Sequence, residues 1–174
     1  MIFFLASSPQ DIWNRLAKQL QPLLGSSLRI VIPGAPSEIH HTWFHELENR
    51  SFRESLRYNE KELDERLKQE DVLFLFLIAD DIPEGVILGN RVTRSDRKTF
   101  YLDTLAIRRK GKGIGKIVLS HLIEWAKASG YAAIELDTEA ENEDGIPLKK
   151  FYETAGFMVQ YIEDDGNITM SLIW

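Results

Sequence analysis

The stretch Thr99-Phe100-Tyr101-Leu102-Asp103-Thr104-Leu105-Ala106-Ile107-Arg108-Arg109-Lys110-Gly111-Lys112-Gly113-Ile114-Gly115-Lys116 decides how this chain reads. Residues 99–107 have the aromatic and branched composition of a strand. The following residues carry glycine at alternate positions, Gly111, Gly113 and Gly115, among the cations Arg108, Arg109, Lys110, Lys112 and Lys116. Apolar Ile114, Ile117, Val118, Leu122 and Trp125 then recur at helix spacing, and Gly130 supplies the stop. Glycines let a backbone turn sharply and approach a ligand. A helix N-terminus adds unpaired N–H donors and a partial positive charge. A strand, a basic glycine turn and a helix together make a cradle for a ligand with several phosphates. Two commoner phosphate motifs fail. A P-loop would need glycine where Lys110 stands and Ser or Thr where Ile117 stands. A dinucleotide fingerprint would need glycine at Lys116, and its place in mid-chain after a meander also argues against it.

Downstream of this segment, residues 131–138 read as a strand, which implies a parallel pair joined by a right-handed crossover. Pro147 opens a helix over 148–155 that Gly156 stops. Residues 157–163 and 167–173 form a closing hairpin across 164–166. Upstream, 71–79 reads as a buried strand, followed by strands over 85–93 and 99–107 joined by polar turns. A short strand at 28–32, a helix from Ser37 to about Arg50 and a second helix capped by Asn59 precede them. Residues 9–24 have helix spacing at Ile12, Trp13, Leu16 and Leu20. The reading is an N-terminal strand and helix appendage over 1–25, with Met1 to Ala6 a strand or docking element, and one main domain over 26–174.

The composition is that of an ordinary globular chain, and its length suits one domain. The chain has 174 residues, 44% of them hydrophobic and 28% charged, with a net charge of −6. Wholesale disorder is excluded, and the acidic balance argues against a sequence-independent nucleic-acid binder. The chain has no cysteine, so disulfides, thiolate metal sites and a cysteine nucleophile are absent; cytoplasm is the default expectation. No apolar run approaches the roughly twenty residues a membrane span needs, so no membrane partner is expected.

The glycine turn resembles motif A of the GNAT superfamily, the acyl-CoA-dependent N-acyltransferases, whose pattern is [QR]-x-x-G-x-[GA] between a strand and a helix. One register is Lys110-Gly111-Lys112-Gly113-Ile114-Gly115, with Lys for Arg or Gln. A second register, Arg108 to Gly113, matches the letters and leaves Gly115 unused. The loop after Ile107 is about two residues shorter than is usual in the family. Phe151-Tyr152-Glu153-Thr154-Ala155-Gly156-Phe157 is close to the family's motif B, F-Y-E-x-x-G-F. The resemblance covers about residues 28–173, with its specific motifs in 99–157. It implies a mixed α/β fold: a mostly antiparallel central sheet with one parallel strand pair around the acyl-CoA site and helices on both faces. It also implies acetyl-CoA as acyl donor, no metal, and transfer of the acetyl group to a primary amine such as a protein N-terminus, a lysine, a polyamine or a small amine.

Such a reaction needs a general base for the amine, an acid for the departing thiolate and a donor for the developing oxyanion. The resemblance puts the Tyr152 hydroxyl at the CoA sulfur and the backbone of Leu105, Ala106 and Ile107 at the thioester and pantetheine. It puts Lys110, Gly111, Lys112, Gly113, Ile114, Gly115 and Lys116 at the phosphates. An asparagine of the family is displaced here, with Gly145 at its usual place and Asn142 nearby; a small insertion at 143–146 would bring Asn142 to the pantetheine. Asp103 shares a strand face with Tyr101 and Leu105 by alternation, and family members place a catalytic carboxylate on that face. Asp137 on the next strand is the other candidate base, and a water chain would make neither essential. Phe52 and Tyr58 are candidates to shape the acceptor pocket. Glu139, Glu141, Glu143 and Asp144 form either an attractor for a cationic acceptor or a solvated loop. His41 and His45, four apart on a helix with His40 and Glu46 nearby, could face a metal, but no third ligand has motif spacing.

Three other readings stand beside this one. The acyl chain could be longer. The chain could be a CoA-binding regulator without catalysis. It could be an interaction module or homodimer that uses the 9–24 helix as its interface.

Overall fold

A computed structural model describes residues 7–142 and 144–174 of the chain, so the reading of Met1 to Ala6 and of Glu143 lies outside the described residues. The elements run α1 (Pro9–Leu24), β1 (Arg29–Val31), α2 (Glu38–Ser51), a 3-10 turn (Glu54–Leu56), α3 (Glu60–Leu67), β2 (Leu73–Ala79), β3 (Ile82–Arg94), β4 (Arg97–Ile107), α4 (Ile114–Ala128), β5 (Ala133–Thr138), α5 (Leu148–Thr154), β6 (Met158–Ile162) and β7 (Ile168–Ile173). They form one seven-stranded sheet of order β1-β2-β3-β4-β5-β7-β6. Its neighbours are antiparallel except for the parallel pair β4 and β5. The expected mixed, mostly antiparallel sheet with one parallel pair is therefore present.

β2 shows why the sheet needs cover on both sides. Leu73, Leu75, Leu77 and Ala79 enter one core, with α1 and α4, while Phe74, Phe76 and Ile78 enter the other, with α2 and α3. Period-two alternation with both faces apolar gives the continuous hydrophobic run of a fully covered strand. The 1–25 segment takes part in this arrangement: Ile12, Trp13, Leu16, Leu20 and Leu24 of α1 lie in the same core as Val118, Leu119 and Leu122 of α4. Ser8 and Asp11 close a capping box at its start.

One irregularity positions the site. β3 and β4 pair Leu88 with Thr104 but Gly89 with Leu102, so Asp103 is the extra residue of a β-bulge. A bulge bends its strand and re-aims side chains. Here the parallel ladder between β4 and β5 ends at Leu102 and Leu136, and the two strands part beyond it. The bulge also breaks the alternation that the sequence suggested. Tyr101 and Asp103 lie toward Tyr58 and Arg66, whereas Leu105 packs against the core under α1 and α4.

Candidate active site

A cavity of about 400 Å³ lies where β4 and β5 part. Its lining joins Asp103 and Leu105 of β4, Asp137 of β5, Lys110 of the turn, Asn142 and Tyr152. These candidate residues are brought together directly, and the glycine turn lies next to them in the chain.

The turn is held by left-handed glycines and leaves its backbone amides open. Gly111 and Gly113 have φ of +77° and +73°, and a Cβ at either would meet open space, so backbone conformation is what requires glycine there. Gly115 differs: its φ is not positive and a Cβ would sit 3.6 Å from Phe151 Cζ, an ordinary contact, so neither backbone nor space requires glycine there. Gly113 caps α4 in the left-handed conformation and offers no side-chain cap. Among the described residues, no backbone N–H from Arg109 to Lys116 finds an acceptor, and the first such bond of the helix start is Ile117 N–H to Gly113 O at 3.2 Å. Open amides at a helix N-terminus suit phosphate. The side chain of Ile114 is buried in the core, so only its backbone faces the turn.

The five cations divide. Arg108 donates to Glu46 Oε1 at 2.5 Å, and Arg109 donates to Glu84 Oε1 at 2.8 Å; both guanidinium groups tie the turn to the fold. Lys110 Nζ reaches Ser51 Oγ at 3.5 Å. Burial pushes its amine below the usual lysine value, against the opposing pull of Asp144. Lys112 and Lys116 make no ion pair among the described residues.

The parted edge of β4 supplies further donors. Arg108 N–H donates to Glu84 O at 2.8 Å on β3, and Val86 pairs with Ala106. Successive N–H groups of a strand point to opposite edges, so those of Leu105 and Ile107 point toward β5, whose ladder has already ended. Ala106 of the same triplet turns its N–H to β3.

Tyr152 sits on α5 between Phe151 and Phe157, at ring distances of 5.0 and 5.7 Å. Its hydroxyl makes no hydrogen bond among the described residues, and burial pushes its pKa up to about 12. Asp103 has a buried side chain, 7% exposed. Its Oδ1 accepts a 2.6 Å hydrogen bond from Tyr58, Arg66 Nε lies 3.9 Å from Oδ2, and Oδ2 has no hydrogen-bond partner. Burial holds its carboxyl above the usual aspartate value; the Tyr58 bond and Arg66 oppose this, and the nearby Asp137 adds to it. Asp137 is occupied by other partners. Its Oδ2 accepts from Tyr101 at 2.7 Å, and its Oδ1 accepts from Thr169 at 2.6 Å and Asn167 at 3.2 Å.

Asn142 Oδ1 accepts from the backbone of Asp144 and Ile146, each at 2.9 Å, so it closes its own loop as well as lining the cavity. Glu139 pairs with Arg53 across the cavity mouth. His41 and His45 meet carboxylates, with Glu60 2.7 Å from each and Glu48 3.0 Å from His45. No cluster arranged for a metal is found among the described residues, and no described helix is long and apolar enough to cross a membrane. Sequence reasoning missed Arg66, Glu84 and the tie that Glu46 makes to the turn. Only Glu84 left a signal, as a lone charge inside the apolar strand 82–88.

The model of the acetyltransferase (GNAT) family matches residues 38–157. Among solved structures, the ribosomal-protein-S18-alanine N-acetyltransferase from Escherichia coli shares 21% identity at a TM-score of 0.62, over 84% of this chain and 93% of that one. A Bacillus subtilis acetyltransferase in complex with CoA shares 19% at 0.62, over 84% and 99%. An aminoglycoside 6'-acetyltransferase type Ii shares 18% at 0.62, over 83% and 96%. These likenesses concern the fold. No curated protein matches the chain in sequence.

Proposed function

The chain belongs to the GNAT acetyltransferase family, and from that premise we propose that it transfers an acetyl group from acetyl-CoA to a primary amine. The observation that carries this reading is the run of acceptor-free backbone amides from Arg109 to Lys116, which opens beside the cavity holding Asp103 and Tyr152. The donor is a thioester whose phosphates suit those amides and the side chains of Lys110, Lys112 and Lys116.

The chain's residues then divide the work. The N–H groups of Leu105 and Ile107 stabilise negative charge developing on the thioester oxygen. Asp103 takes the proton that the acceptor ammonium must lose before its nitrogen can form the new bond to the acetyl carbon. Tyr152 gives its proton to the sulfur as the carbon–sulfur bond breaks, and the second proton that the nitrogen loses on becoming an amide passes through solvent to restore Tyr152. Asp137 anchors Tyr101 and β7 and is given no proton-transfer role. Asn142 turns its Nδ2 to the pantetheine amide, since its Oδ1 is used by its own loop. Residues 26–174 are the catalytic domain on this reading, with α1 bracing α4, and a cytoplasmic setting suits a cysteine-free chain.

The acceptor class stays at primary amine, because neighbours of this fold are named for acceptors as different as a ribosomal-protein alanine and an aminoglycoside. The test is thermal unfolding with and without acetyl-CoA, followed by a thiol-release screen over amines, peptides and polyamines. A ligand that binds the native state raises the midpoint. A rise without thiol release on any amine would favour a non-catalytic CoA-binding regulator; no rise would remove the donor assignment.

A further inference from the structure

We propose that Glu84, on β3 and away from the cavity, is the positioning residue that holds the phosphate turn in its binding shape. The inference rests on the reading that this turn takes the CoA phosphates. A turn with two left-handed glycines has little shape of its own, yet its amides must point one way to meet an anion. Glu84 fixes it twice. Its carbonyl accepts from Arg108 N–H at 2.8 Å, and its carboxylate accepts from Arg109 Nη2 at 2.8 Å. The Glu84 side chain is 2% exposed and belongs to the rigid sheet, whereas Arg109 is 41% exposed. Arg108 to Glu46 of α2 is a second side-chain tie. The loop before Gly111 therefore hangs from two carboxylates.

The charge of Glu84 makes the idea decidable. As a bare negative charge near the turn, it repels a polyanion, and its removal would tighten CoA binding. Its removal would also release Arg109 toward the phosphates. As an anchor, its removal lets the amides wander and weakens binding. The two roles predict opposite signs.

The experiment measures CoA binding by isothermal titration for wild type, Glu84→Leu, Arg109→Gln and the double variant, with Glu70→Gln as a charge-matched control. Leu at 84 removes the acceptor as well as the charge, which an amide would not. Glu70 is 70% exposed and pairs with Arg91, away from the turn. The expected result is a roughly tenfold weaker affinity for Glu84→Leu. Arg109→Gln should be weakened to a similar degree, and the double variant no more than either, since both break one tie. Glu70→Gln should match wild type. Unchanged or tighter binding by folded Glu84→Leu overturns the proposal, as does a double variant that adds the two losses. If Glu84→Leu fails to fold, Glu84→Asp, which keeps the charge but draws the carboxylate back from Arg109, carries the comparison: weaker binding supports the anchor and unchanged binding overturns it. Hydrogen exchange of the Arg108 amide, the one of residues 108–116 with an acceptor among the described residues, separates the two ideas without ligand. Faster exchange in the variant with no CoA binding by wild type would leave the anchor standing and remove the CoA reading. Equal exchange with normal wild-type binding would do the reverse.

Discussion

Tyr58 donates its hydroxyl to Asp103 Oδ1 at 2.6 Å, joining the segment between α2 and α3 to the bulged residue of β4. Burial and the adjacent carboxylate both push the Tyr58 pKa far above its ordinary value, so the proton stays on the tyrosine and Asp103 is the acceptor. One carboxylate oxygen is thereby fixed. The other, Oδ2, is buried without a hydrogen-bond partner among the described residues, with Arg66 Nε 3.9 Å away; in the proposed function it is the oxygen that takes the proton.

Asp103→Asn separates catalysis from stability. The amide oxygen of Asn can still accept from Tyr58, but it is not a base, and the rate should fall about 10²-fold or more. The effect on stability has the opposite sign. The folded pKa of Asp103 is raised, mainly by burial, so the native state holds its proton more tightly than the unfolded chain does. The ionised group is then a cost that appears as pH rises from the ordinary aspartate value, about 3.9, through the folded one. The variant should melt at or above the wild-type temperature at neutral pH, with the difference closing below about pH 4. Thermal scans across pH check this, and a variant less stable at neutral pH would show that Arg66 outweighs burial.

Tyr152→Phe should bind CoA within about twofold of wild type and lose turnover by roughly 10²-fold. The hydroxyl makes no hydrogen bond among the described residues, so its removal leaves no partner stranded. With a pKa pushed up to about 12, the tyrosine stays protonated throughout an ordinary assay. The wild-type pH–rate profile should show no alkaline limb from this group below about pH 10, and such a limb that vanishes in the variant would contradict the assignment.

What the sequence disclosed was local, and what it concealed depended on distant partners. Gly111 and Gly113, the helix after them and the Phe151 to Phe157 motif are read within short windows, because turn and helix signals reside in neighbouring residues. The bulge at Asp103 was hidden, since it exists only in register with Leu88 and Gly89 of β3. The division of the cations was hidden for the same reason: Arg108 meets Glu46 62 positions away, and Arg109 meets Glu84 25 positions away. Asp137 is legible as a carboxylate on the strand next to Asp103, while its bonds from Thr169 and Asn167 are not, because those residues come from β7 and its approach.

Lys110 should give CoA affinity a pH dependence. Burial lowers its pKa, so the amine loses its charge at a lower pH than the ordinary lysine value of about 10.4. As pH rises through the lowered value, the phosphates lose a cation and affinity falls; binding in that window takes up a proton, because the anion favours the charged amine. Titrations from about pH 7 to 10 in buffers of different ionisation enthalpy read both effects. Lys110→Gln should bind more weakly at neutral pH and lose this dependence. The same slope in the variant would assign it to another group.

The glycine outside the motif should prove costlier to replace than those inside it. A Cβ on Gly89 would lie 2.3 Å from Phe100 Cζ and 2.5 Å from the carbonyl oxygen of Tyr101. The backbone atom cannot yield without disturbing the register that creates the Asp103 bulge, so Gly89→Ala should cost about 1–3 kcal/mol or more and lower activity with it. Gly111→Ala meets no atom within 4 Å but must hold φ of +77°, which costs about 1–2 kcal/mol. Gly115→Ala lies inside α4, meets only ordinary contact at 3.6 Å, and gains up to about 1 kcal/mol of helix propensity. Urea denaturation should therefore rank the variants Gly115→Ala as most stable, then Gly111→Ala, then Gly89→Ala. If Gly115→Ala were the least stable, the fit of α4 against Phe151 would be tighter than these contacts allow, and the close approach of the two helices would become the main constraint on the turn.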